Sequence, residues 1–395
     1  MAISRKLQQQ MAEGGWIRKM FEEGIVLKKR FGENNVFDLT LGNPVMEPPD
    51  EFRQELRRLV NEPSAGMHRY MSNAGYPETR AAVAEHLSSV TGLPFTQNEV
   101  VMTCGAAGGI NVVLKTILEA GDEVIIFSPY FVEYIYYIDN AQGIPRIVSS
   151  DSHFVPDLKI LEENITPKTR AVLVNSPNNP TGVVYSDETL RGIGNLLDKK
   201  ERELGTEIFL ISDDIYRRLV YDEVECPYVF QYHPRTVVTT SFSKDLALPG
   251  ERIGYVAINP QYDGREQLFN GFVFCNRVLG FVNAPALMQN VVRALQDVWV
   301  DIDEYVRKRD LLYKNLTEMG YSMEKPTGAF YMFPKSPIED DAAFVKELQK
   351  YNVLVVPGKG FGAPGYFRIS YCVEDRVIEG SLQGFKTAAE TFKLC

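Results

Sequence analysis

From about residue 99 to residue 240, short apolar runs rich in β-branched side chains alternate with stretches of helical periodicity. Val100-Val101-Met102-Thr103 precedes a helical pattern over about 106–119, and Glu123-Val-Ile-Ile-Phe127 precedes a tyrosine-rich one near 131–139. Arg170-Ala-Val-Leu-Val174, a helix carrying Leu190, Ile193, Leu196 and Leu197, Ile208-Phe-Leu-Ile211 and Thr236-Val-Val-Thr-Thr240 continue the series. Such alternation predicts βαβ units and an α/β fold with a mostly parallel sheet covered by helices on both faces. Right-handed crossovers then carry every strand's C-terminal end to one rim, where open α/β sheets bind their ligands.

The flanking segments do not fit this repeat. After about residue 290 come a long helical pattern from Val291 to about Leu316, three short strand-like runs and a closing helix from about 374. The runs are Gly328-Ala-Phe-Tyr-Met-Phe333, Val353-Leu-Val-Val356 and Tyr366-Phe-Arg-Ile-Ser370. At 395 residues the chain exceeds the usual ceiling for a single core. The expected division is a large domain over 46–290 and a smaller α+β domain built from 1–45 and 291–395. In the N-terminal part Ile17, Met20 and Phe21 mark an amphipathic segment, and Asp50 is the expected N-cap of a helix with Phe52, Leu56, Leu59 and Val60 on its apolar spacing.

Composition narrows the function. With 45% hydrophobic and 24% charged residues the chain reads as globular, and no apolar stretch approaches membrane-spanning length. A net charge of −10 disfavours a nucleic-acid surface while leaving room for a local anion pocket. Five scattered cysteines without a C-x-x-C pair argue against a disulfide framework and against a metal site, and fit a reducing compartment. The first residues lack the apolar core of a signal peptide, so the expected location is cytoplasmic.

The densest chemistry follows the Thr236–Thr240 run. Ser241-Phe242-Ser243-Lys244 places an amine just past a strand end, behind two hydroxyls and ahead of Gly250-x-Arg252-x-Gly254. An aldehyde cofactor bearing a phosphate needs such a set: an amine to condense with the aldehyde, and hydroxyl and guanidinium groups to hold the phosphate. Other strand ends add to it. Thr103-Cys104-Gly105-Ala106-Ala107 is a small-residue turn that bares the first N–H groups of a helix, a favourable place for a phosphate. Pro129-Tyr130-Phe131 offers aromatic rings, Asn175-Ser176-Pro177-Asn178-Asn179-Pro180-Thr181-Gly182 a rigid turn, and Ser212-Asp213-Asp214-Ile215-Tyr216 adjacent acids after a buried strand. Gly360-Phe-Gly362-Ala-Pro-Gly365 matches a dinucleotide fingerprint in letters alone, because Pro364 and the strand after it leave no helix N-terminus for a pyrophosphate.

Taken in order, these segments resemble the class I/II aminotransferases, pyridoxal-phosphate enzymes of fold type I. The resemblance covers essentially the whole chain and implies a large domain with a seven-stranded sheet, a smaller domain, and pyridoxal 5′-phosphate as cofactor. It makes Lys244 the Schiff-base and proton-transfer residue. For the cofactor it implies Gly105, Ala106 and Ala107 in the phosphate loop, Phe131 stacked on the ring with Tyr130 as competitor, and Asn179 at the phenolate oxygen. Asp-x-x-Tyr selects Asp213 with Tyr216 over Asp214, pairing Asp213 with the ring nitrogen, while Ser241 and Arg252 hold phosphate. Tyr70, in Tyr70-x₄-Gly75, resembles a residue that reaches the phosphate of a neighbouring subunit, implying a homodimer with shared sites. Gly42 and Arg368 are implied at the substrate carboxylate, with Asn179 beside them. The phosphate loop lacks the family's common hydroxyl, which shifts load to Ser241, Ser243 or Arg252.

The implied reaction moves the amino group of an amino acid to a 2-oxo acid by ping-pong kinetics, with aspartate, aromatic or small aliphatic donors all open. The place of an intersubunit arginine for acidic substrates falls at Val278, next to Arg277. Elimination by a C–S lyase on the same scaffold is the rival chemistry, and a pyridoxal-binding sensor module the rival class.

Overall fold

The structure is a computed structural model that describes residues 2–13, 15–62 and 65–394. Its strands, in chain order, are β1 (Phe37–Asp38), β2 (Val100–Thr103), β3 (Glu123–Ser128), β4 (Ile144–Ser149), β5 (Thr169–Asn175) and β6 (Phe209–Asp213). They continue with β7 (Thr236–Ser241), β8 (Gly254–Ile258), β9 (Tyr331–Met332), β10 (Val353–Leu354), β11 (Val356–Pro357) and β12 (Phe367–Ser370). Seven of them form the main sheet in the order β2-β8-β7-β6-β5-β3-β4. The Val- and Ile-rich runs are buried because helices cover both faces, as continuous apolar strands require.

One strand departs from the expected common direction. β8 runs antiparallel to both β2 and β7, so its N-terminal end, Gly254, lies opposite Thr103 and Ser241 on the ligand rim. The return from β7, residues 242–253, holds only the short helix Phe242–Asp245 and the turn Pro249–Glu251, so no helix of crossover length carries the chain over the sheet and β8 folds back beside β7. This reversal brings Arg252 to the rim that carries Lys244. Chain order also reverses beside β3, which pairs with β4 on one side and β5 on the other. The crevice at such a switch is where an α/β sheet opens to ligands.

Outside the sheet, β1 pairs parallel with β10, and β11-β12-β9 form a small antiparallel sheet. An apolar cluster unites Met20 and Leu39 with Phe330, Val353, Phe367 and Phe385, so the chain's two flanks share a core. The side chains of Ile17 and Phe21 lie outside the described residues. The helical pattern expected from Val291 to Leu316 is two helices, Ala286–Arg293 and Asp303–Glu318. It breaks because Leu295 and Val300 bury in different apolar clusters, and Val300 N donates to the Asp245 carbonyl at 2.8 Å. Asp50 is the first helical residue, not the N-cap; Pro49 holds that position, and no side chain caps this helix. Among the described residues no helix is long and apolar enough to cross a membrane.

Candidate active site

A cavity of about 270 Å³ opens at the rim where β2, β5, β6 and β7 end. Leu41, Gly42, Ala106, Ala107, Phe131, Asn179, Asp213, Tyr216, Ser241, Lys244, Arg252 and Arg368 line it, although they come from positions more than 300 residues apart.

Lys244 follows β7 within the short helix Phe242–Asp245, whose N-cap Ser241 accepts a hydrogen bond from Ser243 N. Its Nζ donates to the Gly42 carbonyl at 2.6 Å. Burial pushes the amine down to about 8, and the nearby Arg368 and Arg252 add to the lowering. A lysine so placed reaches its nucleophilic, uncharged form far more readily than an exposed one. Gly42 is needed for its small size, since a Cβ there would lie 1.9 Å from the Tyr331 hydroxyl.

Asp213, the last residue of β6, is buried. Its Oδ2 accepts from the Tyr134 hydroxyl at 2.6 Å, while Oδ1 has no hydrogen-bond partner among the described residues. Burial pushes the carboxyl up to about 7. Asp214 points elsewhere, as strand alternation demands. It is buried rather than solvated, paired with Arg217 at 2.8 Å and bonded to Ser212 Oγ.

The Asn175–Gly182 turn is held by its own side chains: Asn175 Oδ1 accepts from Asn179 N at 2.8 Å, and Asn175 Nδ2 donates to the Asp213 carbonyl at 2.8 Å. Arg368, on β12, donates from Nη1 to Asn179 Oδ1 at 3.0 Å and from Nη2 to the Thr40 carbonyl. Its Nε is buried and has no hydrogen-bond partner among the described residues. Tyr216 and Tyr331 pair through their hydroxyls at 3.0 Å.

At the other end of the cavity stand Ser241, Ser243, Arg252 and the N-terminus of the helix Gly105–Ile117. The two serine hydroxyls are 2.6 Å apart. Arg252 donates to the carbonyls of Pro249 and Cys104, and a Cβ on Gly105, whose φ is +72°, would meet its Nη2 at 2.8 Å. Free helix N–H groups, hydroxyls and a guanidinium together make a site for a phosphate-sized anion.

Two expected residues stand apart in this chain. Tyr70 is 91% exposed and contributes nothing to the cavity. Arg277 lies in the helix Arg265–Val278 over the ring of Phe274, also away from it. Of the two candidate rings, Phe131 lines the cavity, whereas Tyr130 packs against Gly362. The glycine-rich 360–365 loop thus serves packing here, and Ser128 Oγ donates to the Gly362 carbonyl at 2.5 Å. Tyr134, Tyr137, Asn175 and Tyr331 line the cavity without having been singled out from sequence. Asn175 and Tyr331 belong to the turn and strand-like run described above, and Tyr134 and Tyr137 to the tyrosine-rich helix, where nothing local separates them from the neighbouring tyrosines.

The family model for aminotransferase class I and II matches residues 34–383. The chain belongs to this family. Class I and II aminotransferases use pyridoxal 5′-phosphate, and membership makes this chain an aminotransferase. A probable aspartate aminotransferase of Methanocaldococcus jannaschii is 30% identical over 359 residues, covering 88% of this chain and 92% of that relative. Aromatic-amino-acid aminotransferase 2 of Thermococcus litoralis is 32% identical over the full length of both chains. A crystal structure of an aminotransferase from Eubacterium rectale superposes with a TM-score of 0.95 at 39% identity, covering 99% of each chain.

Proposed function

We propose that this aminotransferase seats pyridoxal 5′-phosphate in the rim cavity and transfers the amino group of aspartate or an aromatic amino acid to 2-oxoglutarate. The unpartnered Oδ1 of Asp213 carries the reading. A buried carboxylate oxygen without a donor is costly, and a protonated ring nitrogen is the group that would relieve it. The far end supports the same placement, because Ser241, Ser243, Arg252 and the free N–H groups near Ala106 and Ala107 suit a phosphate. Phe131 offers its ring to a planar heterocycle.

When bound, the cofactor supplies an aldehyde that condenses with amines and a ring that draws electron density from the substrate Cα. The chain's residues do the rest. Lys244 Nζ holds the cofactor, gives way to the substrate amine and accepts the Cα proton. Asn179, whose Oδ1 is engaged by Arg368, has its NH₂ left to donate to the cofactor's phenolate oxygen, and Tyr216, which lines the same cavity, is proposed as a second donor there. Arg368 grips the α-carboxylate, with its unpartnered Nε as an added donor and Gly42 beside it. The first product leaves before the second 2-oxo acid enters, which gives ping-pong kinetics.

The active form is proposed as a cytoplasmic homodimer. Tyr70, with Phe274, Val278 and Leu279 exposed on and after the helix that carries Arg277, suits a face covered by a second copy. Within each copy, 46–290 forms the large domain, and 1–45 with 291–395 the small one.

A panel of amino donors with 2-oxoglutarate, read by the absorbance of the cofactor, tests the substrate reading. Aspartate or aromatic donors should give the corresponding 2-oxo acids. Ammonia and pyruvate from cysteine-type donors without an oxo-acid acceptor would transfer the site to C–S lyase chemistry.

A further inference from the structure

The Tyr216–Tyr331 hydroxyl pair is a contact between the two halves of the site. Tyr216 follows β6 of the main sheet, and Tyr331 sits on β9 of the small antiparallel sheet. Both are buried, their hydroxyls are 3.0 Å apart, and their rings meet edge to face. Two further contacts fix Tyr331. The Arg368 guanidinium lies 4.6 Å from its ring centre, and its hydroxyl occupies the space that a side chain at Gly42 would fill.

We propose that Tyr331 is a positioning residue whose hydroxyl donates to Tyr216 and thereby turns the Tyr216 proton toward the cofactor's phenolate oxygen. A tyrosine hydroxyl has one proton and two acceptor lone pairs. If Tyr216 spends its proton on a ligand oxygen, the bond between the two hydroxyls needs the proton of Tyr331. Burial raises both phenols, so each hydroxyl keeps its single proton to place. Two hydroxyls in series polarise one another, so Tyr331 strengthens the bond that Tyr216 makes.

The inference rests on the proposed placement of the cofactor, and its test separates the two. In the cofactor-loaded protein, a donor to the phenolate oxygen favours loss of the proton shared between that oxygen and the Lys244 nitrogen. Weakening the donor therefore raises the pH midpoint of the near-visible absorbance change. Tyr331→Phe keeps the ring against Arg368 and Phe330 and removes only the hydroxyl. It should raise the midpoint by about 0.4–1 unit. Tyr216→Phe should raise it further, and Tyr331→Phe added to Tyr216→Phe should shift it by less than about 0.2 unit, because the relay's outlet is gone. An unmoved midpoint in Tyr331→Phe, beside a raised one in Tyr216→Phe, overturns the relay alone. So does an equal shift from Tyr331→Phe in both backgrounds. An unmoved midpoint in Tyr216→Phe overturns the placement of Tyr216 at the phenolate oxygen, and the relay with it.

Discussion

Tyr134 donates its hydroxyl proton to Asp213 Oδ2 at 2.6 Å and so divides the carboxylate into one occupied oxygen and one, Oδ1, with no partner. A neutral donor fixes the carboxylate's direction without neutralising it. Had an arginine taken this place, a cationic ring beside Asp213 would gain much less.

The adjacent acids should therefore behave differently. Asp213→Asn keeps the shape and the Tyr134 contact but removes the charge, and a loss of ~3 pKa units at the ring slows Cα deprotonation on the order of a thousandfold. Asp214→Asn leaves Arg217 buried without its anionic partner, so it should stay within about tenfold in rate yet lower the melting temperature on the order of 5 °C. Single-turnover rates and melting curves of both variants check this pattern; a larger rate loss at Asp214 contradicts it.

Removing the cofactor should make stability depend on Asp213 and on pH. The folded bare protein keeps the Asp213 proton up to about 7, against 3.8 for the ordinary group. Between those values the folded state binds a proton that the unfolded state has lost, so stability falls as pH rises through this window. Asp245, pushed up to about 7 by burial, contributes with the same sign. The melting temperature of the stripped protein should drop between pH 5 and 7.5, and Asp213→Asn should make that drop shallower by several degrees. Equal slopes in the two proteins would contradict the assignment.

How much of this was legible depended on where each residue sits relative to a strand end. Thr103, Asn175, Asp213 and Ser241 close apolar strands, so pattern alone carried their neighbours Ala106, Asn179, Tyr216 and Lys244 to one rim. β8 was not legible as a strand, because its start falls inside the Gly250-x-Arg252-x-Gly254 turn motif and only Tyr255-Val-Ala-Ile258 is left to mark it, and a run that short carries no direction. β4 escaped because Pro145 and Arg146 interrupt the apolar run Ile144–Ser149, which lies largely exposed at the sheet edge. Tyr134 and Tyr331 escaped for another reason: each acts by touching one residue, Asp213 or Tyr216, that is remote in sequence. Arg368, although on an alternating strand, is buried among Asn179, Thr40, Tyr331 and Phe361, a setting no local pattern announces.

That setting predicts what a change of cation at position 368 does. Arg368→Lys keeps the charge but loses the planar fork, and losing one or two charge-assisted bonds should raise KM for every amino donor by about 10–100-fold. The cofactor spectrum should stay nearly as in the wild type. Steady-state kinetics over several donors tests this, and an unchanged KM would take Arg368 out of the carboxylate site.

Exposure of Tyr70 predicts complementation between copies. A Tyr70→Phe variant and a Lys244→Ala variant, each inactive enough to serve, should regain part of the activity when mixed under subunit exchange, because one hybrid site then has both residues intact. Proven exchange with no recovery would count against shared sites.

The claim on which all of this depends is that Lys244 holds the cofactor. Borohydride reduction of the loaded wild-type protein should fix the cofactor covalently to the peptide containing Lys244, and Lys244→Ala should lose both the near-visible band of the bound cofactor and the reducible linkage. A Lys244→Ala protein that is still covalently labelled on reduction would contradict the account.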